Sequence, residues 1–453
     1  MKLAISLGGI IYKFKNLKEV FAKANEEKSG DRLANLAANT VQERIAAKAV
    51  LSQLTLKDIR ENPLIPYETD DVTRLIDDDL NSEIYKKIQH WSVSELREYM
   101  MQTDVGNKEL MHISKGLNSE MIAAVTKLMS NLDLIHVANK IEVITTNNYS
   151  IGQKGTLASR LQPNHPTDDI DGIIESLKEG LSYGVGDAVI GINPVIDTPE
   201  SVKRVLEATK SFMEEWKVPT QNCVLAHVTT QMKAIQEGAP ADLIFQSIAG
   251  TQKANEAFGI TIDMLKEAEA VIQELGTATG PNRFYFETGQ GSELSSEAYF
   301  DVDQLTLESR NYGFARHFNP FIVNTVVGFI GPEYLYDSKQ VTRAGLEDHF
   351  MGKLHGLPMG VDICYTNHMK ADQNDIENLG VLLGSAGVNF IIAAPMGDDV
   401  MLNYQSMSYH DVATLQSILK KQPTPAFLTW LEERGIYQNG MLSSLAGDLA
   451  IFK

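Results

Sequence analysis

The sequence predicts an α/β fold, a (β/α)₈ TIM barrel preceded by a mostly helical N-terminal domain. After about residue 145, short apolar runs alternate with amphipathic stretches, which is typical of repeated strand–helix units. There are eight such runs, the number that closes a parallel barrel. The competing open doubly wound sheet usually carries a G-x-G-x-x-G fingerprint after its first strand, and this chain has none there. We expect a helical domain over residues 1–145, the barrel over 146–422, and a C-terminal helix and tail over 423–453.

The N-terminal region has helical spacing and clear helix-start signals from residue 16 to about residue 139. Thr55 with Asp58, and Ser92 with Glu95, have the spacing of capping boxes. The apolar stretch over residues 3–12 predicts a first strand and not a signal peptide, because two glycines interrupt it and no small-residue cleavage site follows. Nothing in this region points to chemistry, and we expect it to make subunit contacts.

The predicted barrel strands are short and apolar, as strands covered on both faces are. They are Thr156–Leu161, Ala188–Asn193, Val224–Val228, Leu243–Ile248, Phe284–Glu287, Thr325–Ile330, Gly360–Cys364 and Phe390–Ala394. Helix signals lie between them. Thr198, Pro199 and Glu200, for example, supply an N-cap, a proline at the first helical position and an acid that suits the helix dipole.

The polar residues at the strand ends form the candidate site, because the chemistry of such barrels lies at the carboxyl ends of the strands. These ends carry Arg160, Gln162, Asn193, His227, Gln246, Ser247, Glu287, Phe329, Asp362 and Met396. Taken singly, each is more simply a structural hydrogen-bonding or space-filling residue. Glu287 and Asp362 together are different, because two carboxylates in one closed site repel each other unless a cation lies nearby. That cation can be Arg160, a metal ion or a positively charged ligand.

Composition and motifs exclude several classes of function. The formal net charge of −19 argues against a nucleic-acid partner, and no apolar run has the length of a membrane helix. The two cysteines lie in apolar runs and predict reduced core thiols in a cytosolic protein. Histidine arrays and a G-x-S-x-G elbow are missing, so we expect neither a metal site nor a serine nucleophile, and we interpret His227 as a core residue. A site made only of positioning groups suits a cofactor that brings its own reactivity.

Seven stretches of the chain resemble the large subunit of ethanolamine ammonia-lyase. They are SRLQPN (159–164), GVGDAVIG (184–191), LAHVTTQ (225–231), FETGQG (286–291), VGFIGPEY (327–334), GLEDHFMG (345–352) and MLNYQ (401–405). The resemblance implies an adenosylcobalamin-dependent lyase that converts ethanolamine into acetaldehyde and ammonia, with a separate small subunit that holds much of the cobalamin. It also implies self-association of the large subunit, and a location in the cytoplasm or inside a bacterial microcompartment.

Residue roles follow from the same resemblance. The implied substrate contacts, of which Glu287, Arg160 and Asp362 are catalytic, are Arg160, Gln162, Asn193, Glu287 and Asp362. Phe329 and Leu402 form the implied apolar wall. The implied cobalamin contacts are Pro194, Gln246, Ser295 and Met401. Glu287 is the candidate for moving a proton during nitrogen loss.

Two positions differ from related patterns. The acid that the family can place beside Phe258 is displaced here to Glu256. Residues 347–352 come close to the D-x-H-x-x-G motif of cobalamin proteins that replace the nucleotide base with histidine, but Glu347 stands where that motif has Asp. We expect this stretch to be structural and the cobalamin to keep its own base. A diol or glycerol dehydratase and a non-catalytic scaffold barrel stay open as alternatives, although neutral diols suit paired acids less well than a cationic substrate.

Overall fold

The computed structural model describes residues 1–453. The N-terminal region begins with an antiparallel hairpin, Ala4–Leu7 and Ile10–Lys13, because Gly8 and Gly9 take positive φ angles of 57° and 81° and turn the chain back. The predicted first strand is thus a hairpin outside the barrel. Ten helices follow, Leu17–Ala24, Ser29–Leu33, Val41–Gln53, Leu56–Arg60, Asp71–Asp78, Ser82–Ile88, Val93–Met101, Asn107–Ser114, Ser119–Leu128 and Asn131–Lys140. The capping boxes at Thr55 and Ser92 are confirmed.

The barrel is confirmed as a ring of eight parallel strands. In chain order they are Ala158–Leu161, Val189–Ile192, Asn222–Val224, Ile244–Ser247, Phe284–Thr288, Ile322–Val327, Met359–Ile363 and Phe390–Ala394. Neighbouring strands pair at seven of the eight junctions of the ring, and these include the pairing of the eighth strand with the first. Only the third and fourth are not joined by a ladder. There the Gln231 side chain donates to the carbonyls of Ala226 and Phe245 and accepts from the Phe245 amide, so it satisfies groups that a ladder would pair.

Two predicted strands are displaced along the chain. The third ends at Val224, because the His227 side chain caps a helix that starts at Val228. The sixth spans Ile322–Val327 and ends at Gly328, whose φ of 97° turns the chain, so Phe329 lies beyond the strand.

Helices surround the barrel. Those that follow the strands are Ile170–Ser182, Pro199–Trp216, Val228–Gln236, Gln252–Ala257, Ile262–Leu275, Ser292–Ser295, Gln304–His317, Ser338–Leu354, Gln373–Ser385 and Tyr409–Leu419. Pro425–Glu433 is the predicted C-terminal helix. Short hairpins pair Thr145–Thr146 with Ser150–Ile151, Asp398–Asp399 with Tyr404–Gln405, and Tyr437–Gln438 with Met441–Leu442. Met407–Ser408 pairs with the eighth strand. None of the helices combines the length and the apolar character needed to cross a membrane.

Strand alternation directs the side chains of the fifth strand to two different places. Phe284 and Phe286 stack at a ring distance of 4.7 Å and join the large core between the strands and the surrounding helices. Tyr285 joins a second, smaller apolar cluster drawn mainly from the barrel strands, where it meets the Phe245 ring at 5.4 Å. Glu287 lies two residues further along and therefore shares the face of Tyr285, at the carboxyl end of the strand.

Candidate active site

The centre of the site is a buried ion pair between the first and fifth strands. Arg160 donates from Nη1 to Glu287 Oε1 at 2.8 Å and to the Tyr285 hydroxyl at 2.6 Å. Its Nη2 donates to Asn193 Oδ1 at 2.8 Å. Burial alone would lower the pKa of Arg160, but the acidic groups around it, Tyr285 and Glu287 foremost, raise that pKa above its ordinary value. The guanidinium therefore stays charged and fixes the end of the Glu287 side chain.

A glycine makes room for this arginine. A Cβ atom on Gly191, in the second strand, would lie 2.5 Å from Arg160 Nε. The Gly191 carbonyl also accepts from Arg160 Nη2 at 3.3 Å. A larger residue at position 191 would displace the guanidinium, so this glycine of the GVGDAVIG stretch belongs to the site.

Besides Arg160 Nε and Asn324 Oδ1, which are buried without a partner, three polar atoms in this cluster have no partner in the protein. Glu287 Oε1 accepts from Arg160, from Tyr285 at 2.7 Å and from Asn324 at 3.4 Å, whereas Oε2 accepts from none. Gln162 uses only its amide nitrogen, which leaves Oε1 free. Asn193 uses only its amide oxygen, which leaves the Nδ2 donor free. The site thus offers one carboxylate oxygen, one amide oxygen and one amide NH₂ group to a ligand.

Asp362 lies near this cluster but is satisfied by hydroxyl groups. Tyr404 donates to its Oδ2 at 2.8 Å and Ser406 donates to its Oδ1 at 2.6 Å. Burial raises the pKa of Asp362 to about 6, and the hydrogen bonds from Ser406 and Tyr404 and the charge of Arg160 only partly oppose this. The predicted need for a cation beside the two acids is met in part by Arg160, which contacts Glu287 directly.

A loop after the eighth strand covers one side of the site and is held by Asp399. Its Oδ2 accepts from Gln162 at 2.5 Å and from Asn164 at 2.7 Å. Its Oδ1 accepts the backbone amides of Met401 at 3.0 Å and Leu402 at 2.5 Å. Asp399 therefore ties the first strand to the loop that carries two of the predicted contact residues. Phe329 reaches this loop from the sixth strand, since its ring meets Tyr404 edge to face at 5.2 Å.

A second polar layer lies behind the fifth strand and holds the turn after Glu287. Glu308 accepts from Thr288, and Asp348 accepts from Gln290 at 2.7 Å and from Thr325 at 3.0 Å. Burial raises the pKa of Glu308 and raises that of Asp348 to about 7. The FETGQG stretch is thus anchored on the carboxyl-terminal side of its glutamate, at Thr288 and Gln290.

The predicted cofactor contacts all lie at the same rim. Pro194 follows the second strand, Gln246 lies in the fourth, Ser295 ends the short helix after the fifth, and Met401 lies in the Asp399 loop. Gln246 is buried, accepts from the Val228 amide and donates to the Ser247 carbonyl, which leaves one amide N–H free. Ser295 is exposed and donates to the Ser292 carbonyl.

The rim also exposes large apolar side chains. They follow the second, sixth and eighth strands and are Val195, Ile196, Phe329, Met396 and Val400. Met396 is the most exposed, at 78%, and its φ of 56° is unusual for a residue with a side chain. Exposed apolar side chains beside a polar centre suit contact with a large amphipathic ligand.

Other sequence-based expectations have clear outcomes. His227 is a half-buried helix cap, so its interpretation as a core histidine was wrong. The stretch 347–352 lies in the helix Ser338–Leu354, and His349 is buried there, as a structural role requires. Both cysteines are free and buried. No group of three or more His, Cys, Asp or Glu side chains is arranged to hold a metal ion.

Several residues of the cluster were not among the predicted site residues. Tyr285 was visible in the strand sequence, and its alternation with Glu287 could have placed it on the same face. Asn164 and Tyr404 stand inside the stretches SRLQPN and MLNYQ, which carry the family resemblance. Asp399 and Ser406 had no local signal for their contacts in the site, because Gln162 and Asp362, which they contact, are more than 40 positions away in the sequence.

Comparison with known proteins identifies the family. The family model described as "Ethanolamine ammonia lyase large subunit (EutB)" matches residues 12–445. The ethanolamine ammonia-lyase large subunit of Escherichia coli (strain K12) is 56% identical over 452 residues, which cover 100% of both chains. The protein of the same description from Salmonella typhimurium (strain LT2) is 55% identical over 452 residues, again across 100% of both chains. This chain belongs to the ethanolamine ammonia-lyase large-subunit family.

Proposed function

We propose that this chain is the catalytic large subunit of an adenosylcobalamin-dependent ethanolamine ammonia-lyase, which converts ethanolamine into acetaldehyde and ammonia. The relatives that match along the whole chain carry ethanolamine ammonia-lyase in their names. The observation that carries the proposal is the free Oε2 of Glu287, held in place by Arg160 through the other oxygen. A fixed carboxylate oxygen without a protein donor suits a ligand that brings a positive charge.

Ethanolamine matches the three free atoms of the site. At neutral pH it carries an ammonium group on one carbon and a hydroxyl on the next. The ammonium can donate to Glu287 Oε2 and Gln162 Oε1, and the hydroxyl oxygen can accept from Asn193 Nδ2. Because these groups sit on different strands of one rigid barrel, both ends of the substrate are held at once, which is the positioning that lowers an entropic barrier.

The chain's own residues then have three tasks. Arg160, Asn193 and Gln162 hold the substrate in one orientation. Phe329 and Leu402 cover its apolar side and keep water out. We propose that Glu287 moves the ammonium proton during nitrogen loss. It would do so through Oε2, the oxygen that accepts no hydrogen bond from the protein. Asp362 adds negative charge when ionised.

The rim fits the cofactor that this activity requires. A corrin ring is broad and amphipathic, and the exposed apolar side chains that follow the second, sixth and eighth strands match such a face. The residues that would hold it are Pro194, Gln246, Ser295 and Met401, of which Gln246 and Ser295 offer polar contacts. Bound adenosylcobalamin supplies radical chemistry, the removal of a hydrogen atom from the hydroxyl-bearing carbon.

Partners and location belong to the same proposal. The matched relatives are named large subunits, which supports a small subunit that completes the enzyme. We further propose that the large subunit self-associates, and that the enzyme works in the cytoplasm or inside a bacterial microcompartment.

The experiment is a substrate comparison with the reconstituted complex. The full chain, the small subunit and adenosylcobalamin are mixed with ethanolamine, and acetaldehyde and ammonia are measured. The same mixture is given 1,2-propanediol as the neutral control. We expect ammonia release from ethanolamine and little dehydration of the diol. Equal or faster turnover of propanediol would contradict the proposal, as would the absence of turnover with either substrate.

A further inference from the structure

A second cavity lies at the opposite end of the barrel from the candidate active site. Its volume is about 450 Å³. Its walls include residues 152–156, which precede the first strand, and 387–389, which precede the eighth. Residues 103, 105–107 and 139–142 of the helical region close the other side. The cavity therefore lies between the amino-terminal ends of the strands and the helical region, and it shares no residue with the strand-end site.

Four lysines and only one acid line this cavity. The lysines are Lys140, Lys154, Lys353 and Lys421, and the acid is Glu142. In a chain with 59 acidic and 40 basic residues, such a concentration of positive charge is unexpected. None of the four ammonium groups has a carboxylate partner. Lys140 donates to the carbonyls of Met100 and Gln102, and Lys353 donates to the carbonyl of Gly387.

Lys353 forms the buried part of the site. It is 3% exposed, yet its Nζ has one protein partner for three N–H bonds. Burial first, and the charge of Lys421 second, lower the pKa of Lys353 to about 7, while Glu142 only partly opposes this. The neighbouring His349 gives no compensating negative charge, because burial and the charge of Lys353 lower its pKa and leave the ring neutral. A buried ammonium without a counter-charge is costly, and a bound anion would remove that cost.

The amino-terminal end of the helix Asn107–Ser114 also lines the cavity, through Gly106 and Asn107. The first turn of this helix is capped by an acid, since the Gly106 amide donates to Glu109 Oε2 at 3.1 Å. The positive charge of the cavity therefore comes from the lysines.

We propose that this cavity binds a small anion that carries a phosphate group. Lysine ammonium groups bind phosphate oxygens as point charges, and the volume lies in the range of small-molecule sites. Lys154 and Gly155 are exposed, so the cavity opens to solvent on that side. A compact anion can reach Lys353 at the back of the cavity. A folded acidic surface of a partner protein would contact only the outer lysines.

The test is calorimetric titration of the full-length chain with inorganic pyrophosphate, at constant ionic strength. We expect saturable binding with one site per chain. Lys421→Gln should weaken it by about tenfold or more, the size expected for loss of one charge-assisted contact, and Lys353→Met should weaken it further. Lys421 is only partly buried, so its variant tests the site even if Lys353→Met folds poorly. Lys87→Gln removes the same charge from an exposed helix outside the cavity and should bind as the wild type does.

Three results with the large subunit alone would overturn the proposal. They are the absence of saturable binding, equal binding by wild type and Lys421→Gln, and an equal loss in Lys87→Gln. Loss of pyrophosphate binding when the small subunit is added would also contradict it, because a partner segment would then fill the cavity. Binding is measured without substrate or cobalamin, so the outcome does not depend on the proposed deamination.

Discussion

At the scale of single residues, the site depends on how the two oxygens of Glu287 are divided. One oxygen receives Arg160, Tyr285 and Asn324, and the other is left for a ligand. A carboxylate whose two oxygens both accepted hydrogen bonds from the protein would form only a structural ion pair. The distribution of donors, more than the presence of an acid, is what makes this position suitable for binding a cation.

Arg160→Ala tests the positioning role of the guanidinium. Its loss removes one of the donors to Glu287 Oε1 and the donor to Asn193 Oδ1, so we expect kcat/KM for ethanolamine to fall by about 10²–10³-fold, as for loss of a preorganised donor. Added guanidinium should restore part of the activity, because it can occupy the space beside Gly191. Steady-state assays with guanidinium and with equal sodium chloride separate rescue from a salt effect. A folded variant without any rescue would count against positioning.

Asp362→Asn tests whether the pKa of Asp362 is raised in the folded chain. The quantity measured is the pH dependence of the free energy of unfolding. Because the pKa of Asp362 is raised to about 6 in the folded chain, its contribution to stability is complete below about pH 4 and is lost as the pH rises through about 6. The total loss is about 3 kcal/mol. Urea unfolding at pH 5 and pH 7 should show a smaller pH dependence in Asp362→Asn than in wild type, whereas exposed Asp263→Asn should match wild type. Identical pH dependence in all three proteins would refute the assignment.

At the scale of elements, the site is assembled from strand ends and one loop. The first and fifth strands supply the ion pair, the second supplies Asn193, and the loop after the eighth strand closes over them through Asp399. The loop contributes no free polar atom of its own to the cluster. Its role is to hold Gln162 and to place Leu402.

Asp399→Ala should loosen this loop. The backbone amides of Met401 and Leu402 lose their acceptor and Gln162 loses its anchor, so we expect faster amide exchange over residues 396–405 and about tenfold lower kcat/KM. Hydrogen exchange with mass spectrometry and steady-state assays measure both. Asp398→Asn is the matched control, because that side chain is exposed at the neighbouring position. Unchanged exchange in Asp399→Ala would show that Asp399 does not hold the loop.

The elements also show how far the sequence could be interpreted. The apolar runs of the sequence predict the barrel and its eight strands. The residues at the strand ends predict that one region holds Arg160, Gln162, Asn193, Glu287 and Asp362. The displaced third and sixth strands depend on a helix cap by His227 and a turn at Gly328, which apolar content does not reveal. Asp399 and Ser406 could not be predicted, because contacts across the barrel leave no local spacing in the sequence.

At the scale of the whole molecule, buried ion pairs join the helical region to the barrel helices. Lys127 donates to Asp303 at 2.5 Å and Lys28 to Glu347 at 2.7 Å, with all four side chains fully buried. Arg310 contacts Asp70 at 2.9 Å and Glu120 at 3.3 Å. Removing one partner of such a pair leaves a buried charge without compensation.

Arg310→Met should therefore destabilise the whole chain. We expect a loss of about 3–5 kcal/mol in the free energy of unfolding, because Asp70 and Glu120 stay buried without their cation. Urea unfolding, followed by far-ultraviolet circular dichroism, measures it. Lys86→Met breaks an exposed pair with Glu83 and should leave the unfolding midpoint unchanged. A loss in Arg310→Met no larger than in Lys86→Met would show that these pairs do not join the two regions.

The central claim is that Glu287 binds the cationic end of ethanolamine, and Glu287→Gln tests it most directly. The variant keeps the size of the side chain and removes the charge. With the small subunit and adenosylcobalamin present, we expect kcat/KM for ethanolamine to fall by at least about 10²-fold, as for loss of one partner of a desolvated charge pair. Circular dichroism should stay unchanged, and exposed Glu267→Gln should retain full activity. Deamination by Glu287→Gln at the wild-type rate would contradict the account.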